Sequence, residues 1–277
     1  MTLAEALRAA AERLAARGVP DPQVDVEWLF AKALGCSRVE LAFARARELT
    51  PEEEEEAAAL VGRRAAREPL AYVLGEWGFR RLTLRTDPRA LVPRPETEAL
   101  VERCLELLAG QAEPLVLDVG VGSGAIALAL ADEHPGVRVR GIDVSAEALS
   151  LAGENARRTG LADRVVFELG DAVAGLPPGP FDLVVSNPPY VEPGEVEGLE
   201  PEVRDWEPRA ALVGPDTTEA VVSGAWHRLR PGGFLVLETH ASAARDVAEL
   251  LRAEGYAGTR ITLDLAGRER VVEGTRP

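Results

Sequence analysis

Apolar side chains recur every three or four positions through the first 73 residues. Leu3, Leu7, Ala10 and Leu14 share one helical face, and Val26, Leu29, Phe30, Ala33 and Leu34 share the next. The pattern predicts a helical bundle over 1–73. Asp21-Pro22 and Thr50-Pro51 are N-cap and first-turn signals, and Thr50 with Glu53 makes a capping box. The acidic run 52–56 then reads as complementing the dipole of that helix rather than as a binding patch. Between 74 and 97 the helical period stops. Gly75, Gly78, Pro88, Pro93 and Pro95 punctuate short extended runs, which predicts a β-hairpin linker. Its arginines, Arg80, Arg81, Arg85, Arg89 and Arg94, read as a solvated basic face, with an anion or RNA contact as the alternative.

From 98 to 277 the period alternates. Apolar runs predict strands over 115–119, 137–143, 165–170, 181–186 and 233–239, with amphipathic helices over 125–133, 146–159, 217–228 and 241–254. This is the βαβ rhythm of a doubly wound, mostly parallel α/β sheet. Two last runs, 258–264 and 268–274, joined by a tight Leu265-Ala266-Gly267 turn, predict an antiparallel hairpin at one edge.

Charge narrows the partners. A formal net charge of −15 argues against long duplex nucleic acid, because phosphate contacts need Lys and Arg. No apolar run reaches the roughly 20 residues needed to span a bilayer, and residues 1–7 lack a signal peptide's charged and apolar regions. A cytoplasmic protein is expected. Cys36 and Cys104 have no metal-ligand spacing, so neither a zinc site nor a disulfide framework is expected. Usage is otherwise biased: Lys32 is the only lysine, and Asn155 and Asn187 are the only asparagines. A thermophile and a GC-rich genome account for that equally well.

The chemistry concentrates at predicted strand ends. Strand 115–119 runs into Gly120-Val121-Gly122-Ser123-Gly124, a turn whose glycines let the backbone approach a ligand closely. Asp143 ends the next strand, where a carboxylate can accept from both hydroxyls of a ribose. Gly120, Gly122 and Ala125 also satisfy the loose dinucleotide pattern, so the loop alone leaves NAD open. Asp118 favours S-adenosylmethionine, since a carboxylate there can meet the ammonium of the methionine moiety. Asp171, after the third strand, is placed to reach an adenine amine, with Ala172 lining the adenine wall. An acidic residue at each of the first three strand ends suits a cationic ligand better than a diphosphate.

The fourth strand ends in Ser186-Asn187-Pro188-Pro189-Tyr190. In open α/β sheets ligands sit at the carboxyl ends of the strands. An amide nitrogen is a poor nucleophile, so positioning must supply much of the catalysis. The Asn187 side-chain oxygen and the Pro188 carbonyl can each accept one N–H of a planar -NH2 group. Two prolines stiffen the turn and remove donors, and Tyr190 can stack on the flat group. A nucleobase amine or a glutamine amide would both fit such a holder.

Together these segments resemble the HemK-like protein-(glutamine-N) methyltransferases. The likeness is carried by residues 69–75, by Leu91-Val92-Pro93-Arg94-Pro95-Glu96-Thr97-Glu98, by the glycine loop, by the Asn187 turn, by 206–212 and by 268–272. The Pro-Arg-Pro-x-Thr-Glu segment sets it apart from nucleic-acid amino-methyltransferases, which share the Asn-Pro-Pro-Tyr turn. The resemblance implies a Rossmann-like class I methyltransferase domain over 98–277, with Gly120–Gly124, Asp143, Ala172 and Asn187 contacting S-adenosylmethionine, to which the strand-end reading adds Asp118 and Asp171. It implies that Asn187, Pro188, Pro189 and Tyr190 hold a glutamine of the glycine-glycine-glutamine loop of peptide-chain release factors, Asn187, Pro188 and Tyr190 being the catalytic set. The bundle would dock the release factor, and a monomer without direct nucleic-acid binding is expected. A ribosomal-protein glutamine is the neighbouring alternative.

Overall fold

The computed structural model describes residues 1–214, 216–264 and 266–277, so Leu265 of the expected hairpin turn lies outside the described residues. In chain order the elements are α1 (Leu3–Ala15), α2 (Pro22–Ala33), α3 (Arg38–Phe43), α4 (Pro51–Ala65), α5 (Leu70–Leu74), β1 (Glu76–Phe79), β2 (Leu82–Arg85), α6 (Pro95–Leu108), β3 (Leu115–Val119), α7 (Ala125–Glu133), β4 (Arg138–Asp143), α8 (Ala146–Arg158), β5 (Val165–Leu169), β6 (Phe181–Ser186), α9 (Pro201–Trp206), α10 (Arg209–Leu212), α11 (Thr217–Arg228), β7 (Leu229–Glu238), α12 (Ala244–Glu254), β8 (Ala257–Leu263) and β9 (Glu269–Thr275). They form two compact units, Met1–Glu76 with Leu199–Trp206, and Trp77–Gly198 with Glu207–Pro277.

In the first unit α1, α2 and α4 pack on one another through the apolar stripes that the sequence periodicity marks. Leu3, Leu7, Ala10, Leu14, Val26, Leu29 and Phe30 are buried, whereas Ala33 and Leu34 are only half-buried. The Thr50–Glu53 capping box forms, but Asp21 makes no side-chain cap bond to α2. Within the acidic run, Glu53 is spent on that cap and on Arg47. A buried ion network closes the unit. The Arg64 guanidinium donates to Asp25 at 2.6 Å and to Glu202 at 2.8 Å, and Arg67 donates to the same Glu202. Residues 199–206, expected within a catalytic domain running unbroken from 98, thus cluster with the N-terminal helices.

The second unit carries a seven-stranded sheet of order β5-β4-β3-β6-β7-β9-β8, parallel except for β9, which runs antiparallel to both its neighbours. Both faces are covered, which is why the central strands read as near-continuous apolar runs. Leu100, Val101, Ile126, Leu130 and Ala156 of α6, α7 and α8 pack with Val116 and Val139 on one face. Val221, Val222, Val247 and Leu251 of α11 and α12 pack with Leu117, Val184 and Leu235 on the other. The helix expected from 241 begins three residues later, because Ser242 turns back to hydrogen-bond the His240 ring. Strand order reverses between β3 and β6, and such a switch point opens a crevice at the carboxyl ends of the strands.

Candidate functional site

That crevice is a cavity of about 420 Å³ in the second unit. Its floor is Val119 through Ser123, Ile142, Asp143 and Ala172. One wall is Asn187, Pro188 and Pro189, and its cover is 89–94 with 208–214. Gly120, Gly122 and Gly124 have φ of 82°, 55° and 85°, left-handed values that disfavour other residues. The loop lies tight on β4. A Cβ on Gly141 would stand 2.4 Å from Val121 Cγ2, so only glycine lets the loop descend this far.

Asp143 reaches the cavity, and both its oxygens are engaged. Oδ2 accepts the Gly122 N–H at 2.8 Å and Oδ1 the Ser145 N–H at 2.9 Å. Each oxygen keeps a second lone pair for a hydroxyl. Asp171 lines the rim, Oδ1 accepting from Val173 N–H, and Ala172 is buried beside it.

Asp118 is placed differently from the sequence-based expectation. It is fully buried and absent from the cavity wall. Alternation along β3 sends Val116 and Asp118 to one face and Leu117 and Val119 to the other. There Oδ2 accepts the Ala127 N–H at 3.2 Å, in the first turn of α7, while Oδ1 has no partner. Burial raises its carboxyl to about 7. Asp118 therefore braces the helix behind the glycine loop.

The charges discriminate between ligands. Of the two arginines on the wall, Arg89 is paired with Asp87 and Glu154, and Arg94 with Glu207. The solvated basic face expected for this segment does not form around them, and Arg80 is likewise engaged by Glu102 and Glu133. Several backbone amides of the loop are also committed, Gly120 and Val121 to the Ile142 carbonyl and Gly122 to Asp143. Two acidic groups and largely apolar walls suit a nucleoside bearing positive charge. S-adenosylmethionine fits these residues better than a dinucleotide does.

Asn187 follows β6 directly and is half-buried. A Cβ on Gly120 would lie 3.9 Å from its carbonyl oxygen, so the amide-bearing turn borders the cofactor loop. Ser186 ties the two strand ends together, its Oγ donating to the Val119 carbonyl at 2.7 Å. Pro188 is buried. Tyr190 does not line the cavity: it is 38% exposed, with its ring centroid 6.2 Å from that of His240. Periodicity and turn signals missed three buried polar residues around the turn. Thr97 accepts from Asn187 Nδ2 at 3.4 Å and favours the ionised form of the buried Glu238, and Glu207 accepts from Val92 N–H and Arg94. Thr97 and Glu207 sit in segments quoted for the family resemblance, which was the available signal.

The fold and this site define a class I S-adenosylmethionine-dependent methyltransferase. Residues 5–75 match the family model described as PrmC N-terminal domain, and 97–199 match that described as Methyltransferase small domain. The chain is 44% identical to a release factor glutamine methyltransferase of Deinococcus radiodurans, over 100% of this chain and 99% of the relative. It is 42% identical to one of Moorella thermoacetica, over 98% and 97%. It belongs to the release factor glutamine methyltransferase family. Among solved structures the hMettl16 catalytic domain shares the fold, with a TM-score of 0.58 at 16% identity over 79% of this chain and 81% of that one. Among the described residues no helix is long and apolar enough to cross a membrane.

Proposed function

We propose that the protein methylates the side-chain amide nitrogen of the glutamine in the glycine-glycine-glutamine loop of peptide-chain release factors, acting in the cytoplasm as a monomer without direct nucleic-acid contact. One observation carries this reading: the Asn187-Pro188-Pro189 turn forms a wall of the same cavity as the glycine loop and Asp143. S-adenosylmethionine supplies an electrophilic methyl group on a sulfonium. Gly120, Val121, Gly122, Ser123 and Gly124 shape its seat. The Asp143 carboxylate would accept from its ribose, and Asp171 and Ala172 would border its base.

The Asn187 Oδ1 and the Pro188 carbonyl then accept the two N–H bonds of the substrate amide. Two acceptors hold the nitrogen in place and favour the positive charge that develops on it, a gain that grows toward the transition state. No general base is needed for transfer, because the N-methylated cation loses its proton afterwards. Tyr190, at the exposed side of the turn, is positioned to meet the flat amide from outside the cavity.

Docking of the protein substrate is assigned to the N-terminal helices. Val39 and Phe43, one turn apart on α3, are 68% and 88% exposed, and large apolar groups this open suit a protein partner. Phe43→Glu is expected to raise KM for a full-length release factor and leave kcat unchanged.

The deciding experiment incubates the protein with methyl-labelled S-adenosylmethionine and purified release factors, ribosomes or DNA, then maps the label. Label on the release-factor glutamine is expected. Label only on a ribosomal protein or on DNA would overturn the substrate assignment.

A further inference from the structure

Asparagine carboxamides present a chemical ambiguity at such a site. The oxygen and nitrogen ends are almost the same size, so packing does not choose between them and hydrogen bonding must. With Oδ1 toward the cavity, Asn187 accepts from a substrate -NH2. Reversed, it would set donor against donor.

We propose that Thr97 and Glu238 are positioning residues that fix which end of the Asn187 carboxamide faces the cavity. The inference rests on the reading of Asn187 as acceptor for the substrate amide. β6 and β7 are adjacent and parallel with Ser186 opposite Leu237, so Asn187 and Glu238 fall level, one residue further along each strand. Thr97, in the first turn of α6, bridges them. It is 5% exposed, its hydroxyl accepts from Asn187 Nδ2 at 3.4 Å, and it stands against the Glu238 carboxylate, whose ionised form it favours.

Proton counting sets the direction. A carboxylate only accepts, so Thr97 favours the ionised Glu238 by turning its single hydroxyl proton toward it. Toward Asn187 the Thr97 oxygen can then only accept, which selects the NH2 end of the carboxamide. Oδ1 is left for the cavity that Asn187 lines.

Glu238 itself points to a role beyond packing. It is 1% exposed, and its Oε2 is buried without a partner. A buried carboxylate with an unmet oxygen is costly, and an apolar side chain would be tolerated better. Arg270 of β9 and Arg94 before α6 favour its ionised form; Glu96 of α6 opposes it; Tyr190 of the turn also faces it. Burial outweighs the hydrogen bond from Thr97 and these charges, and raises the carboxyl to about 7. Once protonated, Glu238 can donate to Thr97, the hydroxyl proton turns to Asn187, and the carboxamide reverses.

The two asparagines of the chain make this measurable. Protein grown on heavy-nitrogen asparagine shows two side-chain NH2 pairs by NMR, and Asn187→Ala identifies which is which. In the wild type the Asn187 pair is expected to shift as pH crosses about 7. The Asn155 pair, whose nitrogen donates to the Arg85 and Ser123 carbonyls, should stay fixed. Thr97→Val and Glu238→Gln should abolish the shift and Thr97→Ser should keep it. In parallel, kcat of Thr97→Val should fall roughly 10- to 100-fold, the scale of a misplaced reacting group, with cofactor affinity unchanged and Thr97→Ser restored. An Asn187 pair indifferent to pH in the wild type, or unaltered in Thr97→Val, overturns the proposal. Should Thr97→Val fail to fold, Glu238→Gln decides by the same spectra. The spectra need no methyl acceptor, so a wild-type protein that leaves release factors unlabelled would refute the substrate reading alone.

Discussion

The Arg94 guanidinium donates to the Glu207 carboxylate at 2.5 Å across 113 residues of chain, while the other Glu207 oxygen accepts the Val92 N–H at 3.2 Å. One buried carboxylate thereby joins the two segments that cover the cavity. Burial raises the Glu207 carboxyl, the Arg94 charge and the Val92 amide opposing it. Glu207→Ala would strand both donors. Arg94 is a third exposed, so the loss is expected to be about 1–3 kcal/mol, below that of a fully buried pair. Thermal unfolding checks this, and a Tm equal to wild type would show the tie to be idle.

Asn187→Ala removes the acceptor proposed for the substrate amide. kcat should fall by roughly 10²–10³, the usual result of losing one preorganised polar partner. Cofactor affinity, measured by calorimetry, should fall far less than kcat. Normal turnover with normal cofactor binding would remove Asn187 from the reaction.

For Asp143→Asn the single side-chain oxygen can accept from only one of Gly122 and Ser145, and its NH2 group then faces the other N–H. Charge at the ribose is lost as well. Weakening of S-adenosylmethionine binding by roughly 10-fold is expected, the scale of one charged hydrogen bond. Unchanged affinity in a titration would rule the contact out.

Asp118 makes stability depend on pH. Its carboxyl lies at about 7 in the fold against an ordinary value of 3.8, with burial the leading cause. A raised acid binds its proton more tightly when folded. Its contribution to stability is therefore fully present below about pH 4 and is lost as pH rises through about 7. Asp118→Asn cannot titrate and can still accept from Ala127. Its Tm should gain on that of wild type as pH is raised from about 4 to about 8. A difference in Tm that stays constant across that range would refute the shift.

The parallel sheet was legible because its cause is local: apolar runs of strand length alternating with helical periods. The loop glycines and Asn187 were legible for the same reason, standing directly after such runs. Other features depend on chain returning from far away. Arg80, Arg89 and Arg94 look like a solvated cluster in sequence, but their carboxylate partners Glu133, Glu154 and Glu207 lie 53, 65 and 113 residues on. Thr97 and Glu238 gain meaning only once α6 and β7 flank β6. Asp118 was given the wrong direction although strand alternation, with Val119 facing the cavity, was enough to place it on the opposite side.

The excursion of 199–206 into the first unit bears on how members of this family can be recombined. The chain passes between the units at 76/77, 198/199 and 206/207, so neither is a contiguous stretch of gene. A cut after Glu76 would leave Glu202 behind and deprive Arg64 and Arg67 of their shared carboxylate. Exchanging the N-terminal helices between relatives as a single cassette should therefore fail unless the eight residues around Glu202 travel with them.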